Sequence, residues 1–569
     1  MTLFENGSIV DTANVTFGIR LVEWNSNGLF VNGKNTLLRG GCVHHSNGIV
    51  GAASYAESEE RRVRILKEAG FNAIRSSHNP ASEAFLSACD RYGMYVMDEA
   101  WDMWYNHKNA YDYASDFMEN YQSDLRAMVD QDFNHPSVIM YSIGNEVSEP
   151  AKEKGVKLAK EMVEYLHQLD HNRAVTGGMN LMIISRSAKG NGIYDEENGG
   201  RKDSGKDKTG GMNSTLFNLM TSMVGTGMNK GANSKKADQV TTPVLDALDI
   251  AGYNYASGRY PLEGKVHPNR VILGSETFPQ DIAKNWAMVK QYPYLVGDFL
   301  WTAWDYLGEA GLGTWAYTQD GRSFDKPYPW LLADVGVFDI LGNPNGELYL
   351  PQAAWGFLRQ PAIAVQPPNH PGVKPAKSVW RGTNAIPTWG WAGCEGNKTI
   401  VEVYSDTDAV ELFLNGRRLG RKKVKDCKVS FKVAYEAGTL TAVSYDRQGN
   451  QRGQSQLVSA QGQLSLLLEP EKTSAVPGEV IYLGITMIGE NGQWEANADE
   501  LLQISVAGGE LLGFGSANPR TEESYQSGEF ATYYGKAQAV IRAGESGQIQ
   551  VTVSGKKAGS KTVNMTISK

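Results

Sequence analysis

Through the first 350 or so residues, short apolar runs alternate with stretches whose apolar residues recur every three to four positions. Leu37-Leu38-Arg39-Gly40-Gly41 reads as a strand, and residues 59–68 read as a helix with Val63 and Leu66 on one face and Gly70 as its stop. Further strands are expected at 71–75, 95–98, 138–144, 174–177, 248–253, 271–274 and 296–301. Helices are expected at 81–92 (stopped by Gly93), 117–132 and 152–169. Repeated strand-then-helix order implies a parallel sheet, and eight such strands imply a closed (β/α)8 barrel over residues 25–360.

Three stretches break this rhythm. Residues 15–24 read as a strand with nothing before it to pair with, which suggests the remnant (1–24) of an otherwise absent immunoglobulin-like domain. Residues 185–239 are rich in Gly, Lys, Asn and Ser, and an insertion of that length on a barrel rim is expected to act as a mobile lid. From 361 to 395 the chain is Pro-rich at first and reads as a linker. Beyond it the period falls to two. Runs at 401–404, 410–414, 429–433 and 440–445, with Asn415-Gly416 as a hairpin turn, suggest a β-sandwich over 396–460. A second set from Leu464 suggests another, immunoglobulin-like, over 461–569. The fold class is therefore α/β followed by all-β.

Composition adds little against this picture and excludes some partners. The net charge of −8 gives no reason to expect nucleic acid or an anionic membrane. No apolar run approaches the ~20 residues of a membrane span. Met1-Thr2-Leu3-Phe4-Glu5 shows no basic region leading into an apolar core, so a cytoplasmic location is expected. Cys42, Cys89, Cys394 and Cys427 match no zinc or redox spacing and are expected to be buried thiols. The 13 Trp are informative, because sugar sites want flat apolar faces beside polar groups.

Chemistry in a (β/α)8 barrel sits where the strands end. The fourth strand ends in Asn145-Glu146 and the seventh in Ser275-Glu276. These strands lie on opposite sides of the mouth, so their carboxylates face each other. Two facing carboxylates are the equipment of glycoside hydrolysis, and a gap of roughly 5–5.5 Å gives the retaining route.

Two segments then resemble glycoside hydrolase family 2, the β-galactosidase and β-glucuronidase family. Asn72-Ala73-Ile74-Arg75-Ser76-Ser77-His78-Asn79-Pro80, with Cys89 through Asp98-Glu99-Ala100, is similar to its first signature, except that Asn79 stands where Tyr is usual. Phe133-Asn134-His135-Pro136 through Gly144-Asn145-Glu146 is similar to its acid/base signature. The resemblance implies Glu146 as acid/base, Glu276 as nucleophile, Asn145 on the sugar 2-hydroxyl and Arg75 beside Glu276. It also implies Tyr255 as a hydrogen-bond partner of the nucleophile and Trp301 as floor of the sugar subsite. His45, His78, Asp98, Glu99 and Asp305 are candidate binders of the remaining hydroxyls. No cofactor is implied, and Met103 and Tyr105 stand where lactose-operon-type β-galactosidases carry magnesium ligands.

Leu332-Ala333-Asp334-Val335-Gly336 lacks the Asn-x-Lys-Gly motif with which β-glucuronidases grip a uronate, leaving Lys108, Arg259 or Arg322 as substitute cations. A neutral sugar is favoured, with a β-galactoside first and a glucuronide or galacturonide as the alternative. Family members usually begin with a jelly-roll domain that in some relatives shapes the pocket. A homo-oligomer or a partner chain is the expected source of any such missing part, and a non-catalytic carbohydrate-binding or assembly subunit is the alternative of another class.

Overall fold

Eight parallel strands, each hydrogen-bonded to the next in sequence, close into a barrel in the computed structural model, which describes residues 1–109, 111–190, 231–319, 326–545 and 547–568. They are β1 (Leu38–Val43), β2 (Ala73–Ser76), β3 (Tyr95–Glu99), β4 (Val138–Asn145), β5 (Ala174–Met179), β6 (Ile250–Asn254), β7 (Val271–Thr277) and β8 (Leu295–Leu300). β8 closes the ring onto β1, with Gly297 opposite Leu38 and Leu300 opposite Gly41. The barrel interior is filled by side chains including Leu38, Ala73, Met97, Ile139, Leu273 and Phe299. Gly40 in β1 has a steric reason: a Cβ there would come within 2.3 Å of the Phe299 ring.

The helices lie where the apolar period placed them. They are α1 (Ala56–Glu68), α2 (Glu83–Tyr92), α3 (Ala114–Asp132) and α4 (Glu153–Leu169); a further helix, α5 (Leu181–Ser187), stands where none was expected. α2 shows why the local sequence suffices. Ser82 Oγ accepts the Phe85 amide at 3.2 Å to start it, and Gly93 ends it in the left-handed region at φ +65°. Of the expected lid at 185–239, residues 191–230 lie outside those described; its two ends overlap α5 and the helix Lys235–Leu245.

Two expectations need correction. Residues 15–24 do not form one strand. A hairpin of Thr2–Glu5 with Ser8–Thr12 comes first, and only Val22–Asn25 is extended, pairing with Gly28–Val31 in a small sheet. The intervening chain is held instead by Arg20, whose guanidinium donates to the Pro136 and Val138 carbonyls at 2.8 and 2.5 Å, at the start of β4. The 361–395 stretch is not merely a linker either. Ala362–Val365 pairs antiparallel with Lys398–Tyr404 as an edge of the first sandwich, because Ile363 and Val365 are apolar on one face and join its core. The following residues return to the barrel mouth, where Ser378 Oγ donates to the Leu312 carbonyl and Gln280 Nε2 donates to the Val379 carbonyl.

Two pairs of largely antiparallel sheets follow, each with its own apolar core. The second sandwich is seated on the barrel through Ile49, Leu332, Ile340, Tyr482 and Val540, and Tyr482 Oη donates to Ser58 Oγ at 2.6 Å. Cys42, Cys89 and Cys394 are buried free thiols as expected, whereas Cys427 is half-buried. Among the described residues, no helix is long and apolar enough to cross a membrane.

Candidate active site

Strand ends bring the polar residues together. Glu146 follows β4 directly and takes a left-handed φ of +45°, while its amide donates to the Gly178 carbonyl of β5 at 2.7 Å. Glu276 lies inside β7, which runs to Thr277 rather than stopping at Gly274. Asn254, the last residue of β6, sits between the two glutamates. Its Nδ2 lies 3.3 Å from Glu146 Oε1 and 3.1 Å from Glu276 Oε2. The nearest oxygens of the two carboxylates are therefore no further apart than these two bonds laid end to end, about 6.4 Å.

Arg75 organises the floor beneath them. Its fully buried guanidinium donates to Glu276 Oε2 at 3.0 Å, to Glu99 Oε2 at 2.7 Å and to Asn145 Oδ1 at 2.9 Å. Asn145 Oδ1 also accepts from Asn254 at 2.8 Å, which turns the Asn145 Nδ2 outward, towards Asp102 at 3.0 Å. Gly178 makes room for this: a Cβ there would come within 2.5 Å of Arg75 Nη2. Tyr255 Oη donates to Glu276 Oε1, and the Tyr255 ring is held by Phe278 and by Trp380, at 4.5 and 5.0 Å between centroids.

Electrostatics separate the two carboxylates. Burial pushes Glu276 up to about 7, and the Glu146 charge adds to this, while Arg75 and the Tyr255 hydroxyl oppose it. Two carboxylates this close to each other disfavour double ionisation. Glu276 receives donors from Arg75, Tyr255 and Asn254; Glu146 receives two amide donors, from Asn254 and Asn180. Glu276 thus has a guanidinium and a hydroxyl working against its burial, whereas Glu146 is met by neutral amides. His78 is lowered by burial, but its 2.6 Å bond to Glu99 more than offsets this and holds it above the usual histidine range.

The aromatic floor is built from Trp301, His78, His44 and Tyr306. Trp301 stacks on His78 with 6° between the planes, and His44 stacks on Tyr306 at 3.8 Å. His45, expected to bind hydroxyls, is exposed, and it is His44 that packs in this aromatic cluster. Glu99 is fully buried behind Arg75, bonded also to His78 and Ser142, so it positions other groups. Asp305 is buried and accepts the Val335 amide at 3.1 Å; burial and the nearby Asp334 push it up to about 8.

Asp98 points the other way, into the helix layer. It accepts from Ser76 Oγ at 2.6 Å and the Ala81 amide at 2.9 Å and lies against Asp132 of α3. Burial pushes Asp98 up to about 6 and Asp132 up as well. Both folded values exceed the unfolded ones, so this pair contributes its full stability below pH ~4 and loses it as pH rises through about 6. Asp132→Asn is expected to raise the urea-unfolding midpoint at pH 8 and to make little difference at pH 4. A gain of equal size at both pH values would contradict the assignment.

The substitute cations are distributed unevenly. Lys108 Nζ donates to Asp102 Oδ1 and to the Asn145 carbonyl, both at 2.8 Å, at the edge of the site. Arg259 is paired with Asp238 and Glu263, while Arg322 lies outside the described residues. Asp334 is engaged by Arg381.

The family description "Glycosyl hydrolases family 2, TIM barrel domain" matches residues 22–189, and "Glycoside hydrolase family 2 C-terminal domain 5" matches 464–564. A domain of unknown function matches between them, over 396–453. A solved structure of a family 2 member from Bacteroides cellulosilyticus superposes over the whole chain with a TM-score of 0.83 at 34% identity, the chain covering 67% of it. The chain belongs to glycoside hydrolase family 2.

Curated relatives include "Beta-galactosidase BoGH2A" of Bacteroides ovatus, 27% identical over 97% of this chain, and a "Putative beta-glucuronidase" of Formosa agariphila, 30% identical over 78% of it. The chain spans 64% and 39% of their respective lengths. In this family 2 barrel the 22–189 match takes in β1 to α5, and with them Arg75, Asn145, Glu146 and Asn180. β6 to β8 lie beyond it, so the placing of Asn254, Tyr255 and Glu276 rests on the geometry and on the whole-chain superposition. Sequence reasoning missed Asn254, Asn180, His44 and Trp380, as well as Asp102. Asn254 carried a signal, since Gly252-Tyr253-Asn254-Tyr255 ends an apolar strand in an amide.

Proposed function

We propose that this family 2 chain carries the catalytic centre of a retaining exo-β-glycosidase. The observation that supports it is the single amide of Asn254 within reach of both carboxylates, which holds their nearest oxygens within about 6.4 Å of each other, on the side of the short spacing that direct attack by one of them calls for. In the first half, Glu146 gives its proton to the glycosidic oxygen while Glu276 attacks the anomeric carbon. The carbon–oxygen bond breaks, the aglycone alcohol leaves, and the sugar is esterified to Glu276. In the second half, Glu146 takes a proton from water, the resulting hydroxide attacks the same carbon, and the Glu276 carboxylate is released. Asn145 Nδ2 is turned outward and is placed to hold the 2-hydroxyl; Trp301 and His78 supply a flat wall.

A neutral sugar, with β-galactoside first, fits the charges at hand. Lys108, the one described candidate cation beside the site, is paired with Asp102, and Arg381 is paired with Asp334. The completeness of the catalytic pair speaks against a non-catalytic binding subunit. The test is a panel of p-nitrophenyl β-galactoside, β-glucuronide and β-galacturonide. Galactoside hydrolysis with retention, followed by NMR of the first-formed anomer, is expected. Turnover of none of the three would overturn the enzyme reading, and preference for a uronide would overturn the sugar.

Tyr255→Phe tests the nucleophile's surroundings. Losing the hydroxyl donor removes support for the ionised form, so Glu276 rises further above about 7. The acid limb of kcat/KM should then move to higher pH, with kcat down on the order of 10²-fold. An unmoved acid limb would show that Tyr255 only packs.

A further inference from the structure

Asn180 stands at the junction of β5 and α5 and is almost fully buried. Its two amide atoms do different things. Oδ1 caps α5, accepting from the Met182 and Ile183 amides at 3.1 and 3.3 Å. An oxygen held by two backbone N–H groups fixes the orientation of the whole amide, so Nδ2 has one direction left. It points at Glu146 Oε1, 2.7 Å away. Asn254 Nδ2 approaches the same Oε1 from β6, at 3.3 Å.

Resting on the acid/base reading of Glu146, we infer that Asn180 is a positioning residue that selects which oxygen of Glu146 carries the catalytic proton. An oxygen that accepts from two amide N–H groups has no lone pair facing a third hydrogen along those directions, so the proton is carried by Oε2. That oxygen is then the one presented to the glycosidic oxygen. The helix cap supplies the rigidity: rotating Asn180 away from Glu146 uncaps α5. After the first half-reaction the same N–H stabilises the Glu146 carboxylate, which must then act as a base.

Other charged or titratable groups also act on Glu146. Glu276 of β7 repels its ionised form, and the Tyr255 hydroxyl lies near both. Lys108, paired with Asp102, holds the carbonyl of the preceding residue. The Asn180 contribution has to be read as a change against this fixed background.

Asn180→Asp and Asn180→Ser both keep a side-chain oxygen able to cap α5 and both lose the N–H towards Glu146. The basic limb of kcat/KM is expected to move up by about one pH unit, because a lost donor or an added carboxylate disfavours ionised Glu146. Phenyl β-glycoside, whose leaving group needs the proton, should lose about tenfold or more in kcat/KM. The 2,4-dinitrophenyl glycoside, whose leaving group does not, should stay within about threefold. Equal losses for both leaving groups, or an unmoved basic limb in both variants, would overturn the inference. Two variants guard against one failing to fold, checked by the thermal midpoint. Glu146→Ala with added azide separates the two levels. Full phenyl-glycoside turnover by Glu146→Ala would overturn the acid/base reading itself. Azide rescue of Glu146→Ala, with Asn180 variants that show no leaving-group dependence, would overturn the role of Asn180 alone.

Discussion

Glu276→Gln is expected to lower kcat on the best p-nitrophenyl glycoside by about 10⁴-fold or more, which corresponds to at least ~5.5 kcal/mol of barrier. The amide has no charge to give to the anomeric carbon, so the covalent step is lost while binding groups stay in place. Folding should not suffer. Glutamine still offers an oxygen to Arg75, and removing one of two neighbouring buried carboxylates relieves their repulsion. The thermal midpoint is therefore expected to hold or rise. The stereochemistry of rescue makes the test sharper. In Glu276→Ala, azide enters from the vacated side and should yield the α-glycosyl azide. In Glu146→Ala, azide attacks the glycosyl-enzyme from the other face and should yield the β-azide. Both products of the same configuration, or wild-type turnover by Glu276→Gln, would refute the assignment of roles.

The pair is legible in the sequence because each glutamate stands at the end of a short apolar run, and barrel strands deliver such ends to the mouth. The eight strands were legible for the same reason: each is a short buried run between helical periods. What failed is instructive. Asp98 and Glu99 are neighbours on β3, and one faces the barrel axis while the other faces α3. A strand turns successive side chains to opposite sides, and the motif does not say which parity faces inward. His44 and His45 differ in the same way just after β1.

Asn180 and Trp380 were missed for another reason. Asn180 reads as an ordinary helix cap, and only the close approach of β4 to β5 reveals that its other atom serves Glu146. Trp380 lies in a stretch whose prolines suggest a connector. Its place against Tyr255 and Phe278, over a hundred residues before it, depends on the chain returning to the barrel mouth after forming an edge strand. Contacts of that range leave no periodic trace in the local sequence.

Arg75 is the residue whose loss should cost the fold most. With no exposure, it holds Glu99, Glu276, Asn145 and the Ser275 carbonyl at once, through donors on all three guanidinium nitrogens. Arg75→Met fills comparable volume but leaves two carboxylates without their cation, an expected loss of about 3–5 kcal/mol. Arg75→Lys should be little better, because a point charge cannot reach partners spread around a planar fork. The loss should depend on pH with a definite sign. Burial favours the protonated Glu99, and it is Arg75, with help from His78, that brings it below the usual range. Without Arg75, burial prevails and the folded value rises above the unfolded one. The variant's deficit should then be smallest at low pH, where unfolded and folded chains both bind the proton, and grow as pH rises towards 8. Urea unfolding at pH 5 and 8 measures it, and adding Glu99→Gln to Arg75→Met should return part of the stability at pH 8. A deficit independent of pH, unrelieved by Glu99→Gln, would mean that Arg75 acts through packing volume and that the charge pairing at the floor of the site is incidental.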